Sequence, residues 1–436
     1  MMTADTQLLE RRKHVLRGLR LYYDAPFHPV RGEGVWVFDE NGRRFLDAYN
    51  NVPHVGHSHP HVVAALCRQA GMLNTNTRYL FEPIVEYAER LVATMPAGLD
   101  AVMFACTGSE ANDLAWRMAR NFTGRSGVIT THNGYHGNTT FLDSIDGSSI
   151  KANRPTPEWW VTVPAPIDGL EPSSDAATSL VGDYAAAVNA LAERGHRPAA
   201  LFLESFFCTD GVRLAQTGSM SAAVNVVRDA GGVVIADEVQ AGLARSGSHV
   251  WAFERLGLQP DIVVMGKPMG NGHPIAVVVA RRDIVDAFYA HDRYFNTFAG
   301  NPVSCAVGLA VLDVVANEKL QENARRVGHD LKQRLCALAD RHPLIGDVRG
   351  QGLLIGIELV ENREGRAPAS KAARWTINEL CRRGVLVGLT GPDRNSRNIL
   401  KIRPPLVFDD SAVDLLVTTL DETLAQCETD RARVPQ

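Results

Sequence analysis

Five short apolar runs that do not alternate, at 101–104, 127–130, 199–203, 233–236 and 262–265, most constrain the fold of this chain. A strand with one face in water alternates apolar and polar residues. Continuous runs belong to strands buried on both faces, as in parallel sheets covered by helices. Helical stretches separate the runs. This alternation predicts an α/β domain with a mostly parallel central sheet flanked by helices. At 436 residues the chain is long enough for one large domain and a smaller one.

The residues after each run carry the chemistry. The runs lead into Thr107-Gly108-Ser109, Tyr135-His136, Glu204, Asp237 and Lys267. In open α/β sheets the ligand crevice lies beyond the carboxyl ends of the strands, so these groups are expected to converge. Lys267 follows a buried run at once, in Gly266-Lys267-Pro268-Met269-Gly270. Asp237 ends the run before it. Pyridoxal phosphate needs a lysine for a Schiff base and an acid that keeps its pyridine nitrogen protonated, and Lys267 and Asp237 supply that pair.

Thr107-Gly108-Ser109-Glu110-Ala111-Asn112 follows a strand and opens a helix, which suits a phosphate cradle. An ordinary capped helix is the alternative. The lysine loop is not a Walker A loop, because Pro268 follows Lys267 and the upstream glycine spacing is missing. Tyr135 can stack on a flat cofactor or stand at a pocket rim. Gln240 can reach a cofactor oxygen or sit solvated on a helix. His54, His57, His59 and His61 have a spacing that zinc accepts, but Gly56 and Pro60 break the segment and no Cys or acidic cluster accompanies it, so no metal is expected.

Residues 8–20 predict a basic helix. Val35-Trp36-Val37-Phe38 and Arg43-Arg44-Phe45-Leu46 predict a hairpin with its turn at Asn41-Gly42. The stretch 147–183 is rich in Pro, Ser and Asp and predicts a surface excursion. Further on, 320–340 predicts an amphipathic helix, and 346–359 and 384–388 predict strand-containing segments. Asp409-Asp410-Ser411 caps a last helix with Val413, Leu416, Leu420 and Leu424 on one face. The expected division is an N-terminal segment at 1–58 that joins the small domain, a large cofactor domain at 59–319, and an α+β small domain at 320–436.

A net charge of −4 argues against a nucleic-acid surface. No apolar run reaches membrane-spanning length, and no basic segment followed by an apolar stretch opens the chain. Seven scattered cysteines without a C-x-x-C pair suit free thiols in a reducing compartment, so a cytoplasmic location is expected.

The chain resembles the class III pyridoxal-phosphate aminotransferases of fold type I. The matching segments are Val55-Gly56-His57-Ser58-His59-Pro60, 107–112, 134–137, Ala236-Asp237-Glu238-Val239-Gln240, Gly266-Lys267, Thr297-Phe298-Ala299-Gly300-Asn301-Pro302 and Arg349-Gly350-Gln351-Gly352-Leu353. They span nearly the whole sequence. The resemblance implies that Gly108 and Ser109 hold the cofactor phosphate and that Tyr135, beside His136, stacks on the ring. It implies that Asp237, near Glu204, bonds the pyridine nitrogen, that Val239 packs beneath the ring, and that Gln240 approaches its hydroxyl. Lys267 carries the Schiff base. Thr297 reaches the cofactor of a neighbouring subunit, which implies a homodimer, with a tetramer open. The histidines at 57 and 59 are structural in that family.

Other stretches, Asn50-Asn51-Val52-Pro53-His54, Leu73-Asn74-Thr75-Asn76-Thr77-Arg78 and Asn398-Ile399-Leu400-Lys401-Ile402-Arg403, are similar to the phospho-lyase branch of the family. That branch acts on ethanolamine phosphate and phosphorylated hydroxylysine and expels phosphate instead of transferring the amine. Arg78 is the expected phosphate ligand, with Asn51 and Tyr22 assisting. The aminotransferases use an arginine at the place of Arg403 for a carboxylate and often mask it with a glutamate, where Thr209 stands here. An aminotransferase working with pyruvate or another oxo acid is the alternative reading. A non-catalytic binding protein of the same fold is a distant one.

Overall fold

The computed structural model describes residues 4–148, 155–166, 175–391 and 396–433. Met1, Met2, Thr3 and parts of the stretch 147–183 lie outside them. The first helix runs Ala4–Val15 rather than 8–20. Gly18 then takes φ 85°, and Leu19 turns back to accept a hydrogen bond from Arg12 Nη1 at 2.5 Å. Strands β1 (Pro29–Glu33), β2 (Trp36–Asp39) and β3 (Arg44–Asp47) form an antiparallel unit. The expected hairpin is β2–β3. Of its two turn residues only Gly42 takes a positive φ, 79°, and Gly42 N–H donates to Asp39 O at 3.0 Å.

The central sheet contains β4 (Leu99–Ala105), β5 (Gly127–Thr131), β6 (Trp160–Val163), β7 (Pro198–Glu204), β8 (Val233–Asp237), β9 (Ile262–Met265) and β10 (Ala276–Arg281). Its order is β4-β10-β9-β8-β7-β5-β6. Only β10 runs against its neighbours, antiparallel to both β4 and β9; the other pairings are parallel. All five runs read from the sequence are strands here. Two further strands escaped that reading. Val277-Val278-Val279 of β10 is as apolar as the recognised runs. β6 lies inside the stretch expected to be surface excursion, where its four residues are hidden between Pro-rich flanks. The helix Asp175–Glu193 also begins in that stretch and packs against β6.

The C-terminal sheet combines β11 (Ile345–Gln351), β12 (Leu354–Leu359), β14 (Gly388–Thr390) and β15 (Ile399–Ile402) in the order β11-β12-β15-β14, while β13 (Val385–Leu386) joins β3 in parallel. The N-terminal hairpin therefore pairs with a strand more than 300 residues later. The last helix, Asp410–Arg433, is capped as expected. Asp409 Oδ1 accepts from Ala412 N–H at 2.9 Å, and Val413, Leu416, Leu420 and Leu424 are buried.

The Gly350-Gln351-Gly352 turn joins the C-terminal sheet to the rest. Gly350 and Gly352 take φ of 124° and 59°. A Cβ on Gly352 would lie 2.3 Å from the carbonyl oxygen of Arg245. The helix Leu320–Arg341 presses Gly328 on the same turn, and a Cβ there would lie 2.2 Å from Gly352 O. A backbone oxygen has no rotamer to yield. Gly328→Ala is therefore expected to destabilise the protein by roughly 1–3 kcal/mol, the usual range for overpacking, read as a lower urea midpoint. An unchanged midpoint would show that the helix shifts at no cost.

Candidate active site

The carboxyl ends of β4, β7, β8 and β9 open on one cleft, and the groups expected to converge do so there. Asp237 ends β8, and its neighbour across the sheet is Glu204 at the end of β7. Asp237 is buried and receives three donors. Asn112 Nδ2 donates to Oδ2 at 2.9 Å, His136 Nδ1 lies 2.7 Å from the same oxygen, and Val239 N–H donates to Oδ1 at 3.0 Å. Asn112 Nδ2 also donates to His136 O at 2.8 Å, so one amide fixes both the acid and its imidazole. Charge-assisted bonds of this kind hold a carboxylate in one orientation.

The helix Gly108–Thr123 starts beside it. Its cap is Thr107, not Ser109: Thr107 Oγ1 accepts from Glu110 N–H at 3.1 Å, and Glu110 Oε2 accepts from Thr107 N–H at 3.0 Å. This capping box leaves the N–H groups of Gly108 and Ser109, at the first turn, without intrahelical acceptors. Ser109 Oγ accepts from Asn138 N–H at 3.2 Å. A Cβ on Gly108 would lie 3.0 Å from Val239 Cγ1, and one on Gly266 3.3 Å from Gly108 Cα. Three backbone segments thus approach each other closely around the cleft.

Lys267 opens a short 3-10 turn, Lys267–Gly270. It is accessible to solvent within the cleft but has protein around its flanks. That enclosure lowers its amine below the ordinary lysine range, helped by the charge of Arg403 and opposed by Asp237. The rest of the loop is clamped. Asn271 takes φ 47°, accepts from Val55 N–H at 2.9 Å and donates to Gly56 O at 2.8 Å.

Tyr135 is partly exposed at the cleft, and the buried Glu204 turns its carboxylate onto the N–H groups of Phe206 and Cys208. Burial raises the Glu204 carboxyl above its ordinary range. Gln240 is not a solvated helix residue. It is buried in a turn, and its Oε1 accepts from Arg403 Nη1 at 2.5 Å. Asn51 is buried beside it, with Nδ2 3.5 Å from Gln240 O. Tyr22 accepts from Leu389 N–H at 2.6 Å and stacks on Tyr49, ring centroids 5.0 Å apart. Arg403 lies over Tyr49, its Cζ 5.1 Å from the ring centroid.

Arg403 was expected to be unmasked. Among the described residues no carboxylate pairs with it, but the Gln240 amide does engage one of its nitrogens. Asp210, beside Thr209, is turned away: it accepts from Thr131 Oγ1 at 2.6 Å and Asn133 N–H at 3.0 Å.

Two expected residues stand outside this cluster. Arg78 is exposed, with its Cζ 3.9 Å from the centroid of the Phe295 ring, and is not among the charges acting most strongly on Lys267. Thr297 is exposed in the segment after Phe295. Among the described residues neither hydrogen-bonds to the groups around Lys267, although Asn296, beside Thr297, donates to Glu110 Oε1 at 3.4 Å. The four histidines have separate partners: His54 meets Leu243 O and Arg245, His57 meets Asp47, His59 meets Glu318 and His61 meets Asp313.

The sequence reading missed three residues of the cleft. Asn112 sits inside a quoted motif but contacts Asp237, 125 positions away. Tyr49 packs over Gly388, where a Cβ would lie 2.1 Å from its ring. Lys401 is buried on β15, two residues before Arg403; a lone lysine in an otherwise apolar strand was the available signal.

The aminotransferase class III family model matches residues 22–424. This chain belongs to the class III aminotransferase family. A Drosophila melanogaster protein, alanine–glyoxylate aminotransferase 2-like, is 40% identical over 97% of this chain and 87% of its own length. The Caenorhabditis elegans ethanolamine-phosphate phospho-lyase homolog 1 is 37% identical over 97% of this chain and 94% of its own. An Arthrobacter phospholyase solved in complex with phosphoethanolamine superposes with a TM-score of 0.91 at 40% identity, covering 96% of this chain and 99% of the other. The family fold is fold type I, and its members, this enzyme included, depend on pyridoxal phosphate. The cleft fits that cofactor. The buried Asp237 lies close enough to Lys267 to act on its charge, and the N–H groups at a helix start suit a phosphate.

Asn112→Ala removes a charge-assisted donor from Asp237, a bond worth about 1.5–3 kcal/mol. Cofactor affinity, titrated by absorbance of the apoenzyme, should fall by about tenfold or more. Unaltered affinity would mean that His136 and the Val239 N–H suffice to hold Asp237.

Proposed function

We propose that this enzyme is a phospho-lyase that eliminates phosphate and ammonia from ethanolamine phosphate or a related phosphorylated small amine. The observation that carries this reading is the likeness, at 40% identity and a TM-score of 0.91, to a phospholyase solved with phosphoethanolamine; Arg403, a buried cation whose side-chain partner is the neutral amide of Gln240, suits a phosphate as well as a carboxylate. Its charge stays available to an anionic substrate group. The C. elegans relative and the Arthrobacter structure support the choice of substrate class.

In this reading Lys267 holds the cofactor and then removes the proton next to the substrate nitrogen. Bound pyridoxal phosphate supplies an electron sink for that step. Asp237 would hold the ring nitrogen protonated, with Asn112 and His136 fixing its orientation. Gly108 and Ser109 would bind the cofactor phosphate, while Tyr135 and Val239 would flank the ring and Gln240 stand near its hydroxyl. Tyr22, Asn51 and Arg403 would line the substrate side. Arg78 and Thr297 would act in the partner's site of a homodimer. An exposed apolar surface around them supports this, with Leu80 99% and Phe298 71% accessible and Met72, Tyr79 and Phe295 also exposed. Patches of this kind mark association surfaces.

The same reading treats 1–58 with 320–436 as a smaller body and 59–319 as the larger. Pairing of β3 with β13 supports that division. A cytoplasmic location is supported by seven cysteines that carry thiols rather than disulfides.

Wild-type enzyme given ethanolamine phosphate and no oxo acid should release phosphate, ammonia and acetaldehyde, and Lys267→Ala should abolish this. Ready amine transfer to pyruvate without phosphate release would establish the aminotransferase reading instead. Subunit mixing tests the dimer. Lys267→Ala and Arg78→Ala proteins should each be crippled alone, the second by at least about tenfold. Mixed and reassembled, they should recover about a quarter of wild-type activity, because half the dimers carry one intact site. No recovery would place Arg78 outside the partner's site.

A further inference from the structure

Lys401 has no use in the scheme above, and its setting is unusual. It lies on β15 with glycine on both sides: Gly356 of β12 and Gly388 of β14 are its cross-strand neighbours. Strand alternation puts Ile399, Lys401 and Arg403 on one face. That face meets the segment after Glu204: Ile399 Cδ1 is 2.7 Å from a Cβ built on Gly211, and Thr390 Oγ1, beside Ile399, donates to Cys208 O at 3.2 Å. Lys401 is only 7% accessible, yet its ammonium has no hydrogen bond or ion pair among the described residues. Glu204, an acid that acts on its charge, is committed to backbone N–H groups. Enclosure of this kind disfavours the charged amine, and an anion arriving beside it would favour that form again.

We propose that Lys401 is the general acid of the elimination, protonating the phosphate oxygen as the carbon–oxygen bond breaks. This rests on the phospho-lyase reading. Lys267 takes the proton from the carbon next to nitrogen. The electron pair of that C–H bond becomes the new carbon–carbon π bond, and the pair of the C–O bond goes to the departing oxygen. Lys401 Nζ gives that oxygen a proton, so hydrogen phosphate leaves. Lys401 is left neutral and regains a proton from water. Without the proton, phosphate would have to leave as a trianion. Arg403 cannot serve, since guanidinium does not release a proton in proteins.

The groups acting on Lys401 are Arg403 on its own face, Glu204 at the end of β7, Cys208 beyond it, and Lys267. Burial and the two cations bring its amine down to about 7. An acid in that range is charged below neutrality and yields its proton readily, and the charged form is lost as pH rises through the value.

The test compares leaving groups. Ethanolamine phosphate needs a proton on its departing oxygen, whereas 2-chloroethylamine expels chloride without one. In Lys401→Arg and Lys401→Met, kcat for phosphate release should fall by about a hundredfold or more, the general-acid range. Initial chloride release should fall by less than about threefold, within ordinary scatter of a buried substitution. Lys401→Arg should still bind 2-aminoethylphosphonate, read from the cofactor absorbance, within about threefold of wild type, because the charge is kept. Equal losses for both leaving groups, or phosphate release by Lys401→Arg within about tenfold of wild type, would overturn the assignment.

A measurement on wild-type holoenzyme is independent of how the variants fold. The rate of Lys401 acylation against pH, read by peptide mass spectrometry, should be half-maximal near 7. A midpoint in the ordinary lysine range, above about 9.5, would overturn the proposal as well. If wild type releases phosphate and the variants do too, only the role of Lys401 fails. If wild type releases none, the phospho-lyase reading fails and takes this proposal with it.

Discussion

The buried carboxylate of Asp237 is the constraint on which the site depends. A carboxylate out of water is costly unless every oxygen finds a donor. Here the donors come from different parts of the chain. Asn112 comes from the helix after β4, His136 from the loop after β5, and Val239 from the turn just beyond β8. Satisfying one acid therefore sets the relative positions of a helix start, a loop and a turn. The close approach of Gly108, Val239 and Gly266 follows from that arrangement, because larger residues would hold the loops apart.

Charge is divided between the two sides of the cleft. The acids Asp237 and Glu204 stand at the ends of β8 and β7. The cations Lys401 and Arg403 come from β15 and the residue just past it. Lys267 stands between them and feels both, lowered by Arg403 and raised by Asp237. An amine balanced this way changes protonation with small changes in its neighbours.

The parts of this site that were legible in the sequence share one property. Asp237 and Lys267 each end or follow a run of apolar residues, so strand burial and strand polarity alone put them at the cleft. Asn112 and Tyr49 were invisible for the opposite reason: their partners lie far along the chain, and nothing local marks them. Lys401 stood only within a stretch of resemblance, and its strand β15 was not read from the sequence, so nothing placed it near Arg403 on a buried face. β6 and β10 were missed through context, one set among prolines and the other following the lysine loop. Arg78 and Thr297 rested on resemblance, and a single chain puts both on its outer surface.

The antiparallel strand β10 has a mechanical consequence. It makes β9 and β10 a hairpin, with Met265 opposite Val277, and Lys267 rides on the loop between them. Both stems of that loop are interior strands of a seven-stranded sheet, and Asn271 staples its far end to the Val55-Gly56 turn. The lysine backbone is thus a fixed post, and only its flexible side chain can swing. The distance from the amine to the β15 cations is therefore set by the reach of the Lys267 side chain, because Arg403 is itself tied to Gln240 in the turn after β8.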